Sequence, residues 1–184
     1  MICLFSIQAW AQSGKLFNTD NQLSSNLATQ VFQDKSGFIW IATRNGLNTY
    51  DGYHITVIKK DMSNFLGLNS NYINSIAQDE KEHILLGTNN SLLEFTGSEF
   101  LKIPMLDSKG EELATYVKQV YPLKNKDVAV ATSGYGIMLK KQDEQKCHAM
   151  KGEVEKLKYI LKLLEDKRGR LWIITEDGKL YRKE

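Results

Sequence analysis

The chain has 184 residues, 42% hydrophobic and 25% charged, with 24 basic and 22 acidic side chains and a net charge of +2. This is ordinary globular composition, long enough for one sizeable core, and it excludes a disordered chain. It leaves no large single-sign field for nucleic acid or an anionic membrane surface, and the short basic runs Lys167-Arg168-Gly169-Arg170 and Arg182-Lys183 read as solvated turns.

The chain opens on the uncharged stretch "MICLFSIQAWAQ", an apolar run closed by the small-x-small pattern Ala9-Trp10-Ala11. Residues 1–11 are therefore expected to be the remnant of an export signal, with an apolar strand as the alternative. No other stretch approaches the roughly 18 apolar residues of a spanning helix. Cys3 falls in the signal and Cys147 stands alone, so the mature chain is expected to hold no disulfide.

The stretch "DKSGFIWIATRNGLNTYDG", Asp34 to Gly52, reads as a hairpin, and a lone hairpin is marginal in water. The pattern recurs. "VFQDKSGFIWIATRNGLNTYDG" from Val31 aligns with "IAQDEKEHILLGTNNSLLEFTG" from Ile76, "VYPLKNKDVAVATSGYGIMLKK" from Val120 and "LLEDKRGRLWIITEDGKLYRKE" from Leu163. Thr43, Thr88, Thr132 and Thr175 stand 45, 44 and 43 residues apart. Trp40 and Trp172 coincide, with Leu85 and Ala129 between them; Asp34, Asp79 and Asp166 coincide, with Leu123 in the third copy.

Each copy reads as four short antiparallel strands. In the first these are "ATQVFQ", "FIWIAT", "LNTYD" and "HITVIKK", with Gly37, Gly46 and Gly52 at the corners and Tyr50 closing the third strand. The fourth copy repeats the device at Gly169 and Gly178. A period of about 44 residues matches a propeller blade. The expected fold is all-β: residues 12–184 form about four blades, at roughly 23–61, 68–106, 114–150 and 157–184, the last incomplete. Trp40 and Trp172 read as core between adjacent sheets. In "EVEKLKYILKLLED" the apolar residues fall at helical spacing, but the repeat register places a strand from about Leu157.

No catalytic constellation is legible. His54, His83 and His148 fall in three repeats without metal-ligand spacing, and there is no nucleophile elbow, phosphate loop or dinucleotide fingerprint. The Asp34 and Asp166 corners each supply one carboxylate, too few for calcium. They differ by one residue from the Asp-box of sialidase-type propellers. No catalytic, cofactor or metal residue is expected from the sequence.

"LSSNLATQVFQDKSGFIWIATRNGLNTYDGYHITVIKKD", Leu23 to Asp61, followed by "LNSNYINSIAQDEKEHILLGT", resembles the two-component regulator propeller repeats of hybrid sensors in Bacteroides-type bacteria. The resemblance implies a periplasmic ligand-sensing segment, often for oligosaccharides, in a protein anchored in the inner membrane and coupled to a histidine kinase not present here. It also implies further blades of the same chain as neighbours and a possible homodimer. The chain then reads as a fragment of a larger ring; alternatively "GKLFNTD" supplies the outer strand of the fourth blade and closes a four-bladed ring. An exported lyase or glycoside hydrolase on the same scaffold, or an interaction scaffold without signalling, are the other readings.

Overall fold

The computed structural model describes residues 14–60 and 67–184; the apolar stretch read as an export signal lies outside the described residues. Blade 1 is an antiparallel sheet of β1 (Ala28–Gln33), β2 (Ile39–Thr43), β3 (Gly46–Tyr50) and β4 (Ile55–Ile58). Blade 2 repeats it with β5 (Ile73–Gln78), β6 (Ile84–Thr88), β7 (Leu92–Phe95) and β8 (Phe100–Ile103). The chain then runs along the outside of blade 3 as β9 (Met105–Leu106), parallel to that blade's last strand. Blade 3 is β10 (Tyr116–Pro122), β11 (Val128–Ser133), β12 (Ile137–Lys140) and β13 (Cys147–Ala149), and blade 4 is β14 (Ile160–Glu165), β15 (Leu171–Thr175) and β16 (Leu180–Lys183).

The second strand of each blade is a continuous apolar run, as a strand covered on both faces must be. β6 is buried at all five positions, whereas β1, with one uncovered face, alternates between exposed and half-buried. Sheets stack face to face. Trp40, Ala42 and Leu47 of blade 1 pack on Ile76, Leu86 and Ile73 of blade 2. Leu85 and Leu92 pack on Val117, Val120 and Val130 of blade 3, and Ala129, Ala131 and Ile137 on Ile160, Leu163 and Ile173 of blade 4.

The two end faces show what that stacking supplies. Leu47, Leu92 and Ile137, at one repeat position, are 0, 0 and 3% exposed, while their counterpart Leu180 in blade 4 is 61% exposed. Trp172 is half-buried where Trp40 is buried, and Leu164 and Ile174 are exposed beside it. Trp40 is thus core between adjacent sheets as expected; Trp172 holds the same ladder position but is only half-buried, because among the described residues no further blade covers its face. On the other end face Val31 is 62% exposed, against 1, 4 and 3% for Ile76, Val120 and Leu163.

The "GKLFNTD" segment does not supply a strand to blade 4. Phe17 lies edge-on to Tyr50 of blade 1, ring centroids 5.2 Å apart, and Lys15 sits over both rings. β16 is the outermost strand of its sheet, so no four-bladed ring is closed. In "EVEKLKYILKLLED" a single 3-10 turn, Glu153–Lys156, tucks Val154 into the core, and the strand begins at Ile160, slightly later than expected. The apolar spacing reflects that turn plus strand alternation, not a helix.

First strands are also joined by polar staples. Each carries a bulge at the same point, between Ala28 and Gln30, Ile73 and Ser75, Val117 and Gln119, and Ile160 and Lys162. The residue after the bulge reaches the next blade's first strand. Gln30 donates from Nε2 to Ile76 O (2.8 Å) and accepts from Ile76 N (2.9 Å); Ser75 Oγ accepts from Val120 N (3.0 Å), and Gln119 Oε1 from Leu163 N (2.7 Å). These bonds satisfy inner-edge backbone groups that would otherwise be orphaned.

Stacking predicts a contrast within one repeat position. Leu92→Lys buries an unpaired charge and is expected to cost more than about 3 kcal/mol in denaturant titration. Leu180→Lys is expected to stay within about 0.5 kcal/mol and to lower self-association in light scattering. Equal losses for both variants would contradict the stacking.

Candidate functional site

The repeated residues assemble into two structural devices at opposite ends of each blade. At one end the threonines lock the turn between the second and third strands. Thr43 Oγ1 donates to Gly46 O (2.7 Å), Thr88 Oγ1 to Ser91 O (3.0 Å), Thr132 Oγ1 to Gly136 O (2.7 Å) and Thr175 Oγ1 to Lys179 O (3.2 Å). Gly46 is confined by its surroundings as well as by its φ of +127°: a Cβ there would lie 3.0 Å from Lys59 Cγ and 3.1 Å from Ile58 O. Gly178 closes the fourth of these turns, donating to Thr175 O (3.0 Å).

At the other end the aspartates organise the turn between the first and second strands. Asp34 Oδ1 accepts from Phe38 N (2.9 Å) and Oδ2 from Trp40 Nε1 (2.7 Å). Asp166 repeats this with Arg170 N (3.1 Å) and Trp172 Nε1 (2.9 Å), and its Oδ2 also accepts from Arg170 Nε (2.7 Å). The Trp172 indole, and after it the Arg170 hydrogen bonds, hold the Asp166 carboxyl well below the usual carboxylate range. Gly37 and Gly169 take the left-handed position of these turns; Glu82 and Lys126 take it in blades 2 and 3, at φ +68° and +72°. Gly52, with Asp51 capping Tyr53 N and His54 N, turns the chain from β3 into β4.

Sequence reasoning named no ligand-binding residue. The structure places Tyr72, Tyr116 and Tyr159 at one repeat position, each at or just before the start of a first strand, 44 and 43 residues apart. Main-chain bonds from the preceding blade hold them in a row at the threonine end. Gly46 N donates to Asn71 O (2.7 Å), Thr115 N to Asn90 O (3.2 Å), and Gly134 N and Gly136 N to Lys158 O (2.8 and 2.9 Å). Tyr72 and Tyr116 meet edge to face with centroids 6.0 Å apart.

Cations flank the pair, Arg44 5.5 Å from the Tyr72 centroid and Lys118 4.5 Å from that of Tyr116. Burial, then the neighbouring Tyr72, push the Tyr116 phenol up to about 12; it donates to Asn74 Oδ1 (2.8 Å). Glu176 completes the row, 3.1 Å from Lys118 Nζ and 2.9 Å from Ser133 Oγ. Burial acts to raise Glu176, but the Ser133 and Lys118 contacts outweigh it and hold the carboxyl below its ordinary value. The period itself was the signal that could have found the tyrosines.

Cys147, read from the sequence as half-buried, is fully buried in the core between blades 2 and 3, where burial pushes its thiol up to about 12. It is thus a packing residue rather than a nucleophile. At the aspartate end a cleft of about 650 Å³ opens between blades 1 and 2, lined by Phe38, Trp40, His83 and Phe95 among others. No helix among the described residues is long and apolar enough to cross a membrane.

Four-stranded antiparallel sheets stacked face to face, with their first strands side by side, define a β-propeller repeat protein. Residues 22–45, 67–90 and 156–177 match the family described as "Two component regulator propeller"; the copy around Thr132 lies outside the matched segments.

In fold the chain is similar to the extracellular domain of the hybrid two component system BT4673 from B. thetaiotaomicron, with 17% identity and TM-score 0.74 over 85% of this chain and 23% of that one. It is also similar to PorZ, a surface component of the type-IX secretion system of Porphyromonas gingivalis (19% identity, TM-score 0.64, 85% of this chain and 26% of that one). A third likeness is to virginiamycin B lyase from Staphylococcus aureus (10%, 0.58, 85% and 55%). The chain spans about a quarter of the length of the first two. Comparison with curated proteins finds no match.

The depressed Asp166 carboxyl carries a pH signature. Because its folded-state pKa lies below the unfolded value, its stabilisation is present above the unfolded pKa and is lost as pH falls. Asp166→Asn is expected to lower the unfolding midpoint at pH 7 and to flatten the acid decline below about pH 5. Parallel pH profiles for wild type and variant would contradict that assignment.

Proposed function

We propose that this chain is a segment of the periplasmic, ligand-sensing propeller of a hybrid two component sensor, and that it recognises an oligosaccharide at the row Tyr72, Tyr116 and Tyr159. The observation that carries the reading is the row itself. Three aromatic rings recur in phase with the repeat at one end of the blades, flanked by Arg44, Lys118 and Glu176. Ring faces pack against the apolar faces of sugars, and charged and amide groups beside them hydrogen-bond hydroxyls. Family repeats and the fold likeness to an extracellular sensor domain support the signalling context.

The exposed end faces support the reading as a piece of a larger ring. Ile174 and Leu180 are 39 and 61% exposed, at positions that the other blades bury, and Leu164 beside them is 58% exposed. A further blade of the full-length protein fits this face in kind, since blades 2, 3 and 4 each present one to their predecessor. A homodimer through the same face is the second way to cover it.

Titration calorimetry of the chain against oligosaccharides released from plant and host glycans tests the binding. One oligosaccharide class is expected to saturate the wild type, and Tyr72→Ala with Tyr116→Ala to weaken it at least tenfold with unchanged far-UV dichroism. No saturable binding, or binding untouched by the double variant, would overturn the site. Product formation in the same titration would instead favour the lyase or glycoside hydrolase reading.

A further inference from the structure

Blade 2 departs from its neighbours at the aspartate end. In blades 1 and 4 the outer oxygen of the aspartate receives an indole N–H, from Trp40 or Trp172. Blade 2 has Leu85 in that place, so Asp79 loses this donor. Asp79 Oδ1 still accepts from His83 N (2.9 Å), but among the described residues Oδ2 has no hydrogen-bond donor; His83 Nδ1 lies 3.9 Å from it.

The same blade brings an imidazole and a carboxylate to this end, a pair that no other blade has at these two positions. His83 replaces Phe38, and Glu94, paired with Leu85 across the β6–β7 ladder, replaces Thr49. His83 Nδ1 lies 2.9 Å from Glu94 Oε1. One ligand atom from each of Asp79, His83 and Glu94 falls within 4.8 Å of the others.

The charge balance of this group points outward to a ligand. The Asp79 and Glu94 side chains are only 6 and 4% exposed, and among the described residues His83, 32% exposed, is the one basic side chain within 4.0 Å of either. Two largely covered carboxylates thus face one imidazole, a grouping of three donors with room for a positive ion between them. Lys81, on the same turn, faces Asp143 instead (3.9 Å).

We propose that Asp79, His83 and Glu94 bind one divalent transition-metal ion of the zinc type. One imidazole nitrogen and two carboxylate oxygens are a borderline donor set that suits Zn²⁺ and disfavours Mg²⁺ or Ca²⁺, which take oxygen ligands. Ligands at about 2.0–2.2 Å on a tetrahedral ion stand about 3.3 Å apart; the two distances from His83 Nδ1, 2.9 and 3.9 Å, bracket that value, and the two carboxylate oxygens, within 4.8 Å of each other, would draw together on the ion. His83 also lines the cleft between blades 1 and 2, which gives the ion a route from solvent and leaves a fourth position for water or a ligand donor. The site is independent of the tyrosine row, at the opposite end of the blades.

The repeat supplies fold-compatible replacements for the test. His83→Phe and Glu94→Thr install what blade 1 carries at Phe38 and Thr49. Calorimetric titration of the full chain, stripped with chelator, is expected to show one Zn²⁺ per chain at micromolar concentration, no comparable Mg²⁺ binding, and at least tenfold weaker Zn²⁺ binding in each variant. Absence of stoichiometric Zn²⁺ uptake by wild type, or uptake unchanged in the double variant, would overturn the proposal. Zinc X-ray absorption of the wild-type complex checks it without any variant: one imidazole in the shell supports it, and none or several contradict it.

Discussion

Every blade here depends on the burial of one sheet's face against the next. A single blade buries little by itself, and Leu92, Leu85 and Val130 reach 0% exposure only because blades 2 and 3 are stacked. Burying such side chains stabilises by about 1.5–3 kcal/mol each, so the molecule is closest to a one-dimensional array whose interior units are stabilised from both sides and whose end units from one. The contrast between Leu47 and Leu180, chemically identical and in register, isolates that contribution from local propensity.

The polar features serve this stacking rather than compete with it. Thr43, Thr88, Thr132 and Thr175 close the hairpins that keep each sheet in register, and Gln30, Ser75 and Gln119 tie one first strand to the next. Both sets remove backbone or hydroxyl groups from the list of buried groups without partners. Because the staples act across the interface, a blade that loses its neighbour loses apolar cover and hydrogen-bond partners together.

Much of the architecture was legible because it repeats. The threonine period overruled the helical spacing of Val154, Leu157, Ile160, Leu161 and Leu164, and the strand over Ile160–Glu165 follows the period. What stayed hidden has physical causes. Trp172 reads the same as Trp40 in sequence, but Trp40 packs on Phe95 of the next blade whereas Trp172 is flanked by Arg170 and Arg182. Tyr72, Tyr116 and Tyr159 share the period, yet nothing in their residue type marks which face they occupy. Asp79 and His83 are close in sequence, but Glu94 joins them through ladder register, which no linear spacing announces.

The two ends of the blades therefore carry different chemistry on one scaffold: an aromatic row with flanking charges beside the threonine turns, and one acid–imidazole cluster beside the aspartate turn of blade 2. Both rest on the interior blades being the rigid ones. Amide hydrogen exchange of the whole chain measures this directly. Slowest exchange is expected in β5, β6, β10 and β11, with β16 and the outer strand of blade 1 exchanging fastest. Uniform protection across the four blades, or greatest protection in blade 4, would contradict face-to-face stacking as the source of the fold's stability.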